Sequence, residues 1–342
     1  MAAPPIASSP APRSSAASAS PATAIEARHV AHVMDEKLGE RGDGTALRYL
    51  ADGQWRDVSW RELRGSVRDL SSALVDAGVA EGDRVAILAA NRPEWTMADL
   101  AVLRVRGVSV PIHATSSASQ VAFILKDSGA RFVFVDGGEP LAKVVAAIEA
   151  GVPIERVVVF GGGALPEGAV FAGLEETLTR GRTAGREDEI TARLSRATPD
   201  DLLTLLYTSG TTGEPKGVML PHSAFTVTCA YHDLRLPPIG PDDVSLCFLP
   251  LSHIFERAWT FYILYRGAVT AYCEDPKKVS EVLPQVRPTL MCAVPRLYEK
   301  AYAKIQERVR SSSSAKRAVF RWAIGTGHAV SLRRRAGETV PQ

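Results

Sequence analysis

Apolar positions along the chain follow two alternating periods. Short unbroken runs at residues 85–90, 108–112, 132–135, 157–160 and 202–207 have the length and content of strands buried on both faces. Stretches with helical spacing lie between them. Trp60, Leu63, Val67, Leu70 and Leu74 follow the capping box Ser59-Trp60-Arg61-Glu62, and Gly78 can close that helix. Pro93 opens a second helix carrying Trp95, Ala98 and Val102, and Ser117 with Gln120 forms another capping box before Val121, Ile124 and Leu125. Upstream, residues 45–49 and 55–58 flank Asp52-Gly53 and predict a hairpin. After residue 220 the rhythm resumes. It predicts a helix over 222–233, a strand over 244–249, an aromatic helix with Trp259, Phe261, Tyr262 and Tyr265, and a strand–helix–strand unit over 268–273, 277–286 and 288–294. The alternation predicts an α/β fold of wound βα units. Residues 180–200 show no apolar period and read as a connector between two sub-sheets, about 25–180 and 200–342.

Composition narrows the class. The chain of 342 residues is 46% hydrophobic and 23% charged, ordinary for a globular protein of one large or two smaller domains. Residues 1–24 are nearly all Ala, Ser and Pro, with Arg13 their one charge. They lack the apolar core of a secretory signal and read as a disordered tail ahead of a 25–342 domain. The formal net charge of +2 argues against a nucleic-acid binder. Cys229, Cys247, Cys273 and Cys292 fall at unpatterned spacings and read as reduced core residues of a cytoplasmic protein. Residues 296–335 carry eleven Lys/Arg against Glu299 and Glu307, a balance of +9. That segment reads as a solvated helical face, or as a surface for anionic lipid headgroups or phosphates at the inner membrane surface.

Chemistry concentrates in residues 207–222, Tyr-Thr-Ser-Gly-Thr-Thr-Gly-Glu-Pro-Lys-Gly-Val-Met-Leu-Pro-His, directly after an apolar strand. Thr208, Ser209, Thr211 and Thr212 supply hydroxyls. Gly210, Gly213 and Gly217 let the backbone curl around phosphate oxygens, and Lys216 supplies a point charge. Composition alone is equally compatible with a flexible surface hairpin. A phosphate loop of the common NTPase type does not fit, because Lys216 lies between Pro215 and Gly217 with no hydroxyl to hold magnesium. Further on, Pro250-Leu251-Ser252-His253-Ile254-Phe255-Glu256-Arg257 sets a histidine just past a strand end, where open α/β sheets bind ligands. A lone histidine there is often structural. Glu256 and Arg257 can equally form an internal ion pair that shapes the loop.

The ordered string TSGTTGEPKGV resembles the signature of the adenylate-forming superfamily, which includes acyl-CoA synthetases, luciferases and peptide-synthetase adenylation domains. The strings TALRY, VSWREL, GDRVAILAANRPEW, VPIHATSS, FLPLSHIFERAW and VPRLYEK resemble the N-terminal part of bacterial long-chain fatty acid–CoA ligases over about residues 25–340. The resemblance implies ATP, Mg2+ and CoA as partners of a fatty acid, with acyl-adenylate formed first and acyl-CoA second. It implies that Thr208, Ser209, Gly210, Thr211, Thr212, Gly213 and Lys216 contact ATP and that His253 lies beside the acid. A ligase for another carboxylic acid, or a non-catalytic nucleotide- or acyl-binding remnant, also fits. The family's later motifs, Tyr-Gly-x-Thr-Glu, Thr-Gly-Asp and a C-terminal lysine domain, do not occur in residues 223–342. The chain therefore reads as an N-terminal fragment with no catalytic residue of its own assigned, and as inactive alone.

Overall fold

The structure, a computed structural model, describes residues 28–208 and 215–338. Two compact units make it up, one ending at Cys292 and one beginning at Ala293. The expected tail over 1–24 lies outside the described residues.

The first unit opens with α1 (Val30–Gly39), capped by His29, whose Nδ1 accepts from the Ala31 N–H at 3.1 Å. β1 (Thr45–Ala51) and β2 (Gln54–Ser59) form the expected hairpin. Asp52 and Gly53 take φ of 51° and 74°, the paired positive values a tight hairpin turn demands. The Ser59–Glu62 capping box starts α2 (Trp60–Asp76) and buries Trp60, Leu63, Val67 and Leu70. Each such side chain contributes on the order of 1.5–3 kcal/mol on leaving water.

A seven-stranded sheet forms the body. Its strands are β3 (Arg84–Leu88), β4 (Val108–Ile112), β5 (Phe132–Asp136), β6 (Arg156–Phe160), β7 (Phe171–Gly173), β8 (Leu202–Thr208) and β9 (Lys216–Pro221). They lie in the order β7-β6-β5-β3-β4-β8-β9 and are parallel except for the β8–β9 hairpin. α3 (Pro93–Arg104) carries the chain from β3 to β4, and its Trp95, Ala98 and Val102 share one apolar cluster with α2. α4 (Ala118–Ser128) carries it back past β3 to β5, and with α5 (Glu139–Glu149) it packs into a different cluster through Val121, Ile124, Leu141 and Val144. Right-handed crossovers in opposite directions must cover opposite faces. The reversal falls between the C-terminal ends of β3 and β4, the place where such sheets open a ligand crevice.

A second sheet has the order β10-β11-β1-β2, with β10 (Val244–Cys247) and β11 (Val269–Tyr272). Around it run α8 (His222–Arg235), α9 (Ile254–Arg266) and α10 (Val279–Val286). Strand pairing therefore does not follow the division at about 180–200: the early hairpin joins late strands, and β8–β9 extends a sheet built by the first half.

Two local expectations change. Residues 180–200 hold the end of α6 (Leu174–Ala184) and all of α7 (Glu187–Leu194). The buried face of α6 is Leu174, Thr177 and Gly181, so a hydropathy period misses it. Gly181 has a packing reason: a Cβ there would meet the Asp69 carbonyl oxygen of α2 at 1.8 Å. Residues 288–294 make one bridge, Ser245 to Leu290, rather than a strand. Pro288 brings no N–H, and the Thr289 hydroxyl takes the Val244 N–H at 3.0 Å that a ladder would use. The aromatic helix α9 is core: Trp259, Phe261, Tyr262, Ile263 and Leu264 are buried. The second unit consists of α11 (Pro295–Arg310) and α12 (Ser314–Arg335), with no buried residue in either helix.

Candidate functional site

The β8–β9 hairpin frames the glycine-rich loop. Thr208 pairs directly across from Lys216, so both side chains leave the same face of the sheet at the mouth of the loop, and both are exposed. Lys216 makes no ion pair among the described residues. Gly217 pairs with Tyr207, and a Cβ on it would press within 3.2 Å of the Tyr207 ring, so this glycine serves packing of the hairpin. The Tyr207 hydroxyl donates to Asp127 Oδ2 at 2.6 Å, which ties β8 to α4. Ser209, Gly210, Thr211, Thr212 and Gly213 lie outside the described residues.

The hairpin ends at His222, whose ring stacks on His29 with centroids 3.4 Å apart and planes at 28°. Both rings are buried, and His222 Nδ1 and His29 Nε2 find no hydrogen-bond partner. Burial holds His222 down to about 2 and His29 down to about 4, so both are neutral near pH 7.

The second motif forms a turn pinned at every step. Asn91, just past β3, donates to the Leu249 carbonyl at 2.7 Å and accepts from the Leu251 N–H at 2.9 Å. Glu256 Oε2 accepts from the Leu249 N–H at 3.0 Å. His253 N donates to the Pro250 carbonyl at 2.9 Å, and His253 Nδ1 accepts from the Phe255 N–H at 3.2 Å, capping α9. Because Nδ1 accepts, Nε2 is left as the N–H donor of the exposed His253 ring. Ser252 Oγ lies 2.7 Å from Nδ1 of His113, the first residue beyond β4.

Glu256 and Arg257 do not pair with each other. Arg257 grips Asp99 of α3 with Nε and Nη2 at 2.8 and 2.7 Å and donates from Nη1 to Thr204 of β8 at 2.8 Å. It also lies over the rings of Trp95 and Phe225. This pair is 1% and 2% exposed and clamps α9 to α3, while the Thr204 bond ties α9 to the strand that carries the glycine-rich loop. Glu256 is fully buried beside Cys292 Sγ at 3.4 Å, with Oε1 unpartnered. Burial pushes its carboxyl up to about 7 and pushes the thiols of Cys247 and Cys292 up as well. All four cysteines are buried and free.

The two motifs meet along one sheet edge. Ser109 of β4 pairs with Thr204 of β8, and His113 and Thr208 each lie four residues further along the chain from that parallel pair. His113 in turn reaches Ser252, next to His253. The strand strings gave Asn91 and His113 no role beyond scaffold. Their signal was a polar residue within three positions of the C-terminal end of a buried strand, the end where ligands bind.

A profile of the AMP-binding enzyme family matches residues 34–341. The long-chain-fatty-acid–CoA ligase FadD15 of Mycobacterium bovis is 33% identical over 300 residues, spanning 86% of this chain and 48% of that protein. The peroxisomal long chain acyl-CoA synthetase 7 of Arabidopsis thaliana is 33% identical over 301 residues, spanning 84% of this chain and 41% of its own. The chain thus spans about half the length of the relatives it matches. Among solved structures, the A-PCP didomain of a carboxylic acid reductase from Segniliparus rugosus with AMP superposes with a TM-score of 0.71 at 22% identity, covering 87% of this chain and 48% of that one. An anthranilate CoA ligase with anthranoyl-AMP gives 0.67 at 21%, covering 79% and 50%. These two likenesses carry the fold, and the profile carries the family: the chain belongs to the AMP-binding enzymes.

Proposed function

We propose that this chain supplies the phosphate-binding and acid-binding edges of a long-chain fatty acid–CoA ligase. One observation carries the reading: the mouth of the glycine-rich loop and the His253 turn stand at one sheet edge, linked through His113. In the first half-reaction a carboxylate oxygen attacks the α-phosphorus of ATP, the bond to pyrophosphate breaks, and acyl-adenylate forms. In the second, the CoA thiolate attacks the acyl carbon and AMP leaves. The carboxylate is already ionised, so no general base is required. The difficulty is an anion approaching a polyanion. Lys216 and the hydroxyls and amides of 208–213 offset the charge that grows on pyrophosphate. His253 Nε2–H donates to the acid. Magnesium, when bound, would further neutralise the triphosphate. Among the described residues no three His, Cys, Asp or Glu side chains cluster that could hold a metal ion.

The proposal includes a cytoplasmic place for the protein. Among the described residues no helix is long and apolar enough to cross a membrane. Exposed Tyr298, Tyr302 and Ile305 share one face of basic α11, which supports peripheral contact with anionic lipid. The test of function is to supply the protein, as expressed from its gene, with ATP, magnesium and palmitate, without CoA. Palmitoyl-AMP in the mass spectrum is expected. Its absence, with another acid adenylated instead, would replace the fatty acid. No adenylate with any acid would leave a binding protein.

A further inference from the structure

We propose that His113, set by its hydrogen bond to Ser252, is a second acid-positioning residue that donates to the substrate carboxylate alongside His253. The inference rests on the ligase reading and adds to it a residue that none of the motifs assigns.

Position comes first. His113 is the residue directly beyond β4, and the crossovers reverse between β3 and β4, so it stands at the crevice where this kind of sheet takes ligands. It follows the strand that pairs with the loop-bearing β8 on one side, and is bonded to the His253 turn on the other.

Chemistry comes second. Ser252 is 7% exposed, and its hydroxyl lies 2.7 Å from His113 Nδ1. When the hydroxyl donates, Nδ1 is the acceptor and the ring proton sits on Nε2. No carboxylate among the described residues hydrogen-bonds His113, so the Nε2–H is not already committed to an internal anion. His253 has the same tautomer for a separate reason, since its Nδ1 accepts the Phe255 N–H. The edge therefore carries two imidazole N–H donors from two sheets, held by different bonds. Two N–H donors match the two oxygens of a carboxylate.

The experiment is palmitate-dependent ATP–pyrophosphate exchange by the protein as expressed from its gene. His113→Ala is expected to raise the KM for palmitate about 10- to 100-fold, the size of a lost hydrogen bond to a charged group, with the KM for ATP within about twofold. His113→Gln, which keeps an N–H near the Nε2 position, should recover most of the loss, and His113→Asn should not. Should His113→Ala fail to fold, Ser252→Ala tests the same point: losing the hydroxyl that sets the tautomer must raise the KM for palmitate and not that for ATP. An unchanged palmitate KM in these variants, or equal rises for palmitate and ATP, overturns the inference while leaving the ligase reading standing. Wild-type protein that exchanges no pyrophosphate with any acid overturns both.

Discussion

The two edges of the candidate site are built by opposite means. The glycine-rich hairpin is local, since Thr208 and Lys216 meet through the pairing of adjacent strands. The His253 turn is assembled from afar: Asn91, Asp99 and His113 reach it across sequence separations of 158, 158 and 139 residues. A loop that wraps phosphates needs backbone freedom and donors, which a short string can encode. A turn that aims one imidazole needs fixed neighbours, which only the whole fold provides. The hairpin should therefore tolerate substitution structurally and suffer chemically, and the turn should suffer both ways.

The largest effect should come from the buried clamp. Arg257→Met leaves Asp99 charged and unpaired in the core and should cost about 3–5 kcal/mol of stability in urea unfolding. Adding Asp99→Leu to it should return much of that loss. A cost below about 1 kcal/mol for Arg257→Met would show that the turn is not held from afar.

Acid and base should act next, in opposite directions. The stacked His29 and His222 have folded pKa values of about 4 and 2, below the ordinary 6.5. Below pH 6.5 the unfolded chain takes up protons that the folded chain refuses. Their stability is therefore complete above pH 6.5 and lost as pH falls toward 4 and below, at up to about 1.4 kcal/mol per pH unit per histidine. Glu256 runs the other way: its folded value is raised to about 7 from 4.5, so its contribution is complete below pH 4.5 and lost as pH rises through 7. Glu256→Gln should outlast wild type at pH 8, by up to about 3 kcal/mol, and match it near pH 4.5. A mutant whose advantage is the same at both pH values would mean that the carboxyl is not titrating there.

Asn91→Ala follows, removing both bonds that hold residues 249–251, at about 1–3 kcal/mol in unfolding free energy. Lys216→Ala is the counterpart on the exposed hairpin and should move stability by no more than about 0.5 kcal/mol. Equal costs for the two would erase the contrast between the edges.

The sequence disclosed the same contrast. Capping boxes at Ser59 and Ser117, the Asp52-Gly53 turn and the buried runs were legible because each depends on neighbours within a few residues. α6 was not, because its buried face is Leu174, Thr177 and Gly181, and close approach to α2 does the work that apolar side chains usually do. The loop's donors and His253 stood out by type and place. The partner of Arg257 did not: adjacent Glu256 suggested an ion pair, while the fold sends the two side chains apart, one to Asp99 and one to Cys292. The sorting of strands into sheets was equally hidden, since pairing β1 with β11 leaves no local trace.

The central claim is a division of labour between the edges, with Lys216 serving ATP and His253 serving the acid. Steady-state ATP–pyrophosphate exchange with palmitate, run on Lys216→Ala and His253→Ala side by side, tests it most directly. Lys216→Ala should slow exchange about 10- to 100-fold through ATP and leave the palmitate KM nearly unchanged. His253→Ala should raise the palmitate KM by a similar factor and leave the ATP KM nearly unchanged. Wild-type rates in both variants, or the same mixed loss in both, would contradict it.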